Sequence, residues 1–175
     1  MGSGRSKQRE VTAYTHKVGL VGDVACGKTC LMDRFLKNSF RPMHVRTEKN
    51  RGGIKSYILA EMPVPVVAEV WEVQALNLFL NTAIIVIDCR NSIDQIQDTY
   101  KRWAKTCMDH GCRDIHIALN KTDLKRFSKE HHDRILEALA ASEDKMVFFV
   151  SAAKNDGVDY MFKCVISHWV RGLAY

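Results

Sequence analysis

Gly22-Asp23-Val24-Ala25-Cys26-Gly27-Lys28-Thr29 is the stretch whose reading decides the fold. Its spacing is G-x-x-x-x-G-K-[ST], the phosphate-binding P-loop pattern. Glycines at 22 and 27 allow a run of backbone N–H groups to wrap closely round a phosphate. Lys28 supplies a point charge for the β- and γ-phosphates, and a hydroxyl such as that of Thr29 can ligate Mg²⁺. The flanks agree with the pattern. Tyr14 to Val21 ends in an apolar run that reads as a buried strand, and Leu31, Met32, Phe35 and Leu36 recur at helical spacing. Strand, glycine loop and helix start together bring a helix N-terminus to an anion.

The rest of the chain is read outward from that loop. Its 175 residues suit one core, and 46% apolar residues are enough to fill it. No apolar run reaches the roughly 18 residues of a transmembrane helix. The net charge is +6, part of it from Arg5, Lys7 and Arg9. The other basic residues are scattered, with no basic helix and no interleaved aromatics, so nucleic acid is not the expected partner. Six cysteines without a signal peptide read as reduced thiols of a cytoplasmic protein. Cys107, His110, Cys112 and His116 form a string that fits no zinc template, and it reads as ordinary helix-end and strand residues.

Residues 1–12 read as a flexible basic tail and 13–175 as a single domain. Met1-Gly2-Ser3-Gly4-Arg5-Ser6 fits the N-myristoylation pattern, and equally a flexible Gly/Ser leader. One acyl chain binds membranes only marginally, so Arg5, Lys7 and Arg9 would have to add electrostatic attraction for peripheral attachment. The chain ends Arg171-Gly172-Leu173-Ala174-Tyr175, without a prenylation motif.

Strands are expected over Tyr14–Val21, Ile54–Glu61, Val66–Glu72, Ala83–Asp88, Ile115–Leu119 and Val147–Val150. Helices are expected over about Lys28–Lys37, Ser92–Asp109, Phe127–Ala141 and Val158–Gly172, with Ser39 to Gly53 a long exposed loop. Two prolines between the second and third strands favour an antiparallel pair at a sheet edge. Alternating strands and helices specify an α/β fold: a mostly parallel six-stranded sheet with one antiparallel edge strand and helices on both faces. A ligand then sits at the carboxyl ends of the strands.

Two further motifs follow strands. Asn120-Lys121-Thr122-Asp123 is N-K-x-D, and Ser151-Ala152-Ala153-Lys154 comes after the last strand. An Asp carboxylate can accept from both the ring N1–H and the exocyclic amine of guanine, a pair that adenine does not offer. With the P-loop, these motifs make the chain resemble a small GTPase of the Ras superfamily, most similar to the Rab and Rab-like branch, over about Tyr14 to Leu173. The resemblance implies a P-loop NTPase G domain binding GTP or GDP with Mg²⁺. It implies nucleotide contacts from Asp23, Val24, Ala25, Cys26, Gly27, Lys28, Thr29 and Cys30, and from Asn120, Lys121, Asp123, Ser151, Ala152 and Ala153. Ala153 stands where the family commonly has Lys. Phe40, twelve positions after Lys28, would pack on the guanine, and Thr47, nineteen after it, would join Thr29 at the Mg²⁺.

The third family motif, W-D-T-A-G-Q, is altered. Trp71 is followed by Glu72-Val73-Gln74-Ala75-Leu76. Glu72 replaces the Asp of the Mg²⁺ shell, and its extra methylene changes the reach. Ala75 replaces a pivoting glycine. Leu76 replaces the Gln that orients the attacking water, and leucine has no group for that task. Only fifteen residues separate Glu72 from Asp88, so the second switch helix is expected to be missing or reduced to a turn. Val24 adds a branched side chain at a position that obstructs the hydrolytic transition state. No catalytic residue is therefore assigned, and hydrolysis is expected to be weak or absent. The leading expectation is a guanine-nucleotide-binding regulatory switch or binding module, with protein effectors and exchange or activating factors as partners and a role in membrane traffic. The alternatives are a nucleotide-free scaffold and a GTPase completed by a partner; a P-loop kinase would leave N-K-x-D without a task.

Overall fold

The computed structural model describes residues 13–42, 49–59, 65–124, 128–141 and 144–173. Six strands form one sheet: β1 (Tyr14–Val21), β2 (Arg51–Tyr57), β3 (Val66–Glu72), β4 (Thr82–Asp88), β5 (Asp114–Asn120) and β6 (Val147–Phe149). The helices are α1 (Lys28–Lys37), α2 (Ile93–Asp109), α3 (Lys129–Ala138) and α4 (Val158–Gly172), with a 3₁₀ turn at Thr122–Leu124. The spatial order is β2-β3-β1-β4-β5-β6, with only β2 antiparallel to its neighbour. This is the expected α/β architecture, a mostly parallel six-stranded sheet with one antiparallel edge.

Alternation along the strands divides the core in two, because successive side chains point to opposite faces. Val18 and Leu20 of β1 with Ile84 and Val86 of β4 face α1 and α4, where Leu31, Phe35, Phe162 and Val165 cover them. Val21, Ile85 and Ile87 face the other way, against Ile96 and Cys107 of α2 and Ile135 of α3. Helices on both faces explain the continuous burial of β4 and β5, which is why both read as unbroken apolar runs. β1 lies between β3 and β4, so the chain departs to one side and later returns on the other. The crevice at such a reversal, beyond the carboxyl end of β1, is where the P-loop begins.

β4, β5, β6 and α2 shift by a single residue at one or both ends, and two elements differ more from the sequence reading. β2 starts at Arg51, so Arg51 to Gly53 belong to the strand and not to the preceding loop. Gly52 and Gly53 read as loop punctuation; here they allow close packing. A Cβ at Gly52 would lie 2.7 Å from the Trp71 ring, and one at Gly53 would lie 2.4 Å from Leu36 Cδ1. α3 runs from Lys129, with Ser128 accepting from the His131 amide as its cap, and stops at Ala138. β2 stops at Tyr57, so Ile58 and Leu59 are not in the strand as expected, and Leu139 to Ala141 lie past the helix. Glu61, the Met62-Pro63-Val64 link and Phe127 lie outside the described residues, as do the 1–12 tail and Gly2.

Phe162 is fully buried and stacks on Phe35 with ring centroids 3.8 Å apart. Phe162→Ala should destabilise the protein by roughly 3–5 kcal/mol in urea unfolding, the cost of transfer plus a residual cavity. A loss under about 1 kcal/mol would mean that this interface between α1 and α4 is loosely packed.

Candidate functional site

Gly22 follows β1 with φ +142°, and a Cβ there would sit 2.3 Å from the Val86 carbonyl oxygen, so the loop turns through a space that admits only glycine. Gly27, φ +102°, is the N-cap of α1 and has no side chain with which to close off the first-turn amides. Lys28 is buried, and its Nζ donates to the carbonyls of Gly22 and Asp23, each at 2.9 Å. Val24 stands exposed at the crest of the loop, 67% accessible, and Ala25 takes a left-handed conformation, φ 64°. Burial pushes the Cys26 thiol up to about 11, outweighing the nearby Lys28, so Cys26 is a neutral packing group. Cys30 is half-buried on the first turn of α1, its sulfur 3.9 Å from the Arg41 carbonyl oxygen.

The two motifs at the ends of β5 and β6 converge on this loop. Asn120 is 1% exposed; its Nδ2 donates to the Cys26 carbonyl at 3.0 Å and its Oδ1 accepts from the Ala152 amide at 3.2 Å. One side chain thus joins all three motifs. Lys121 crosses the P-loop, donating to the Ala25 carbonyl at 2.6 Å and to Asp88 Oδ2 at 2.8 Å. Burial works against the Asp88 charge, yet Arg90 and Lys121 outweigh it and hold the carboxyl well below the usual carboxylate range. The Ser151 hydroxyl donates to Asp123 Oδ1 at 2.5 Å while accepting from the Lys154 amide, which aims an otherwise exposed carboxylate.

Phe40 is brought to the same end. Its ring lies 5.9 Å from the Arg34 guanidinium, and Arg34 donates to the carbonyls of Ala152 and Ala153 at 2.9 and 3.3 Å. On the other flank, the Thr29 hydroxyl donates to Glu72 Oε1 at 2.7 Å. Glu72 is 2% exposed, and its Oε2 has no hydrogen-bond partner among the described residues. A buried, unpartnered carboxylate oxygen beside a threonine hydroxyl is the oxygen-only donor chemistry that suits Mg²⁺. Thr47, the other expected ligand, lies outside the described residues.

Residues 73–81 pass from β3 to β4 as bends and extended chain, without a helix. Leu76 and Leu78 turn partly into the core half beneath α2. Asn50, which drew no attention in the sequence, fastens this stretch: its Oδ1 accepts from the amides of Gln74 and Ala75, and its Nδ2 donates to the Ala75 carbonyl and to Asn77. Arg34 was also missed. Both act across long sequence separations, for which local pattern carries no signal.

At the opposite end of the sheet, Asp114, His116 and His168 place their ligand atoms within 4.8 Å of one another. The Met146 amide donates to His116 Nδ1 at 3.2 Å, which leaves the ring proton on Nε2, facing Asp114 Oδ1 at 3.0 Å. A protonated Nε2 has no lone pair for a metal, so His116 in this tautomer offers no ligand atom. The expected Cys107–His116 string is dispersed: Cys107 and Cys112 are buried and His110 bonds the Thr106 carbonyl.

The sheet order, the single antiparallel edge and the placement of helices on both faces define an α/β fold of the P-loop GTPase kind. No family model matches the chain. Its relatives are Ras-related proteins. It is 28% identical over 164 residues to Ras-related protein Rab-21 of Mus musculus, covering 86% of this chain and 71% of that one. Ras-related protein YPTC6 of Chlamydomonas reinhardtii is 24% identical over 166 residues, 88% and 74% of the two chains. Ras-related protein Rab-11C of Dictyostelium discoideum is 26% identical over 172 residues, 91% and 75%.

The far end of the sheet has a pH consequence. The Thr82 hydroxyl donates to Asp114, so it accepts from His16 Nε2–H at 2.7 Å, and His16 stacks on Trp169. Burial drives the His16 pKa from 6.5 down to about 4, against the opposing pull of Asp114. Above pH 6.5 His16 is neutral folded or unfolded and its contribution is intact; as pH falls toward 4, only the unfolded chain takes the proton and stability declines. Urea unfolding should show His16→Phe losing roughly 1–2 kcal/mol less than the unmodified protein between pH 7 and pH 5. Equal losses would mean that His16 is not held neutral by burial.

Proposed function

We propose that this chain is a guanine-nucleotide-binding, Rab-like small GTPase that hydrolyses GTP slowly or not at all and acts as a regulatory switch. The observation that carries the reading is the Asn120 tie. It sets the Ser151-aimed carboxylate of Asp123 at a fixed offset from the P-loop, the arrangement needed to read a guanine edge while a phosphate lies on the loop. Lys28 and the N-terminal amides of α1 bind the phosphates. Lys121 stiffens the loop from above, and Phe40 covers the base beside Arg34. Thr29 and Glu72 are the residues that would hold Mg²⁺, which when bound would neutralise phosphate charge.

Slow hydrolysis is inferred from chemistry at two positions. Leu76 has no group to orient a water, and its side chain turns partly into the core. Val24 puts a branched side chain at the loop crest. Protein effectors would be met at the surface bearing Gly52, Ile54 and Trp71, where Ile54 is 68% exposed on the edge strand. The Rab-like resemblance supports a role in membrane traffic. No helix among the described residues is long and apolar enough to cross a membrane, so attachment would be peripheral.

Denaturing the purified protein and identifying the released base tests the reading; guanine is expected. Asp123→Ala should weaken guanine-nucleotide binding by roughly 100-fold relative to the unmodified protein, measured by competition with inosine and adenine nucleotides. Equal competition by ATP would sink the reading. In single turnover with Mg²⁺, the hydrolysis constant should fall below roughly 10⁻⁴ s⁻¹, against about 3–5 × 10⁻⁴ s⁻¹ for an intrinsic GTPase that keeps its water-orienting Gln. A constant at or above the latter would refute slow hydrolysis.

A further inference from the structure

The first P-loop residue after Gly22 is held by a helix that takes no part in the motif. Asp23 receives Arg102 Nη2 at 3.0 and 2.9 Å on its two carboxylate oxygens, and Trp103 Nε1–H at 2.9 Å on Oδ1. Both donors lie on α2. Partial burial opposes the Asp23 charge, but these donors outweigh it and keep the carboxyl below its usual range. The same turn is gripped from the other side, since Lys28 donates to the carbonyls of Gly22 and Asp23. The two grips differ in kind. A phosphate on the loop competes for Lys28 and so loosens the inner grip. The outer grip is made by side chains of α2, outside the motif.

We propose, resting on the guanine-nucleotide reading, that Trp103 and Arg102 are positioning residues. They clamp the first turn of the P-loop through Asp23 and keep it formed when Lys28 turns to the phosphates. The two arms are unequal. The Arg102–Asp23 pair is exposed, 59% and 45% accessible, and such pairs contribute little. Trp103 is anchored, because its ring packs against the core half that also takes Leu76 and Leu78, so its N–H is aimed without further ordering. A hydrogen bond to a charged acceptor from a fixed donor is the stronger arm.

The test is a double-mutant cycle on the full chain, read by hydrogen exchange of the 22–30 peptide in nucleotide-stripped protein and by dissociation of a fluorescent GDP analogue. Trp103→Phe should speed both by about tenfold, and Arg102→Ala by about threefold, with exchange in the β4 and β5 peptides unchanged. Asp23→Ala, which removes both arms, should speed both at least as much as Trp103→Phe, and adding Trp103→Phe to Asp23→Ala should give no further increase. Additive effects would assign Trp103 a packing role only and overturn the clamp. Unchanged exchange in all variants would overturn it too. Should Trp103→Phe fail to fold, Arg102→Ala against Asp23→Ala completes the same cycle. If the unmodified protein takes up no guanine nucleotide, the functional reading fails, and the exchange arm alone decides the clamp.

Discussion

The geometry of the candidate site depends on the side chain of Asn120. It is almost completely buried, donates to the P-loop at Cys26 and accepts from Ala152, and its amide nitrogen would collide with any Cβ at Gly27. Three loops that leave three different strands are thereby fixed relative to one another. A buried amide of this kind is costly if left unpaired, so its two bonds are worth more to the arrangement than their net strength suggests. Removing either partner would leave a polar group stranded among β1, β5 and the base of α1.

Around that tie the site is assembled from elements with separate duties. β1 delivers the loop, and α1 receives it at a glycine cap. β5 and β6 end in the base-side loops, while β3 ends at Glu72, beside Thr29. Each strand terminates its buried run where its motif begins, so apolar burial on both faces of the sheet sets how far every polar group projects. The second ring of contacts is made by Asn50, Arg34, Arg102 and Trp103, none of which belongs to a motif. Their work is to hold backbone and carboxylates in place, and each of the four donates to a main-chain carbonyl or to a single acid.

The architecture was largely legible in the sequence, because buried strands and amphipathic helices leave strong periodic patterns. Tyr14–Val21, Val66–Glu72 and Val158–Gly172 coincide with the expected bounds. The start of β2 was not legible. Gly52 and Gly53 resemble loop residues locally, and only the approach of Trp71 and Leu36 makes them strand residues. The P-loop, Asn120, Asp123 and Ser151 were found because each has a motif with fixed spacing. Asn50, Arg34, Arg102 and Trp103 were not found, because their partners are set by tertiary packing that no spacing records. The Asp114, His116 and His168 group had no motif in sequence to mark it; there the Met146 amide sets the His116 tautomer.

The central place of β1 also governs the order in which the chain can acquire its structure. β1 is made first but pairs with nothing near it in sequence: Tyr14 meets Val66, and Val18 meets both Val70 and Thr82. During synthesis its apolar residues must therefore wait for more than fifty following residues before one edge is covered, and longer for the second. Closing such loops costs entropy before any contact repays it, and parallel pairing has no hairpin shortcut. The antiparallel β2–β3 pair has its partners close in sequence and can form earlier, offering β3 as a ready edge. On this view the nascent chain carries an exposed apolar strand for much of its synthesis, a state prone to association with other chains.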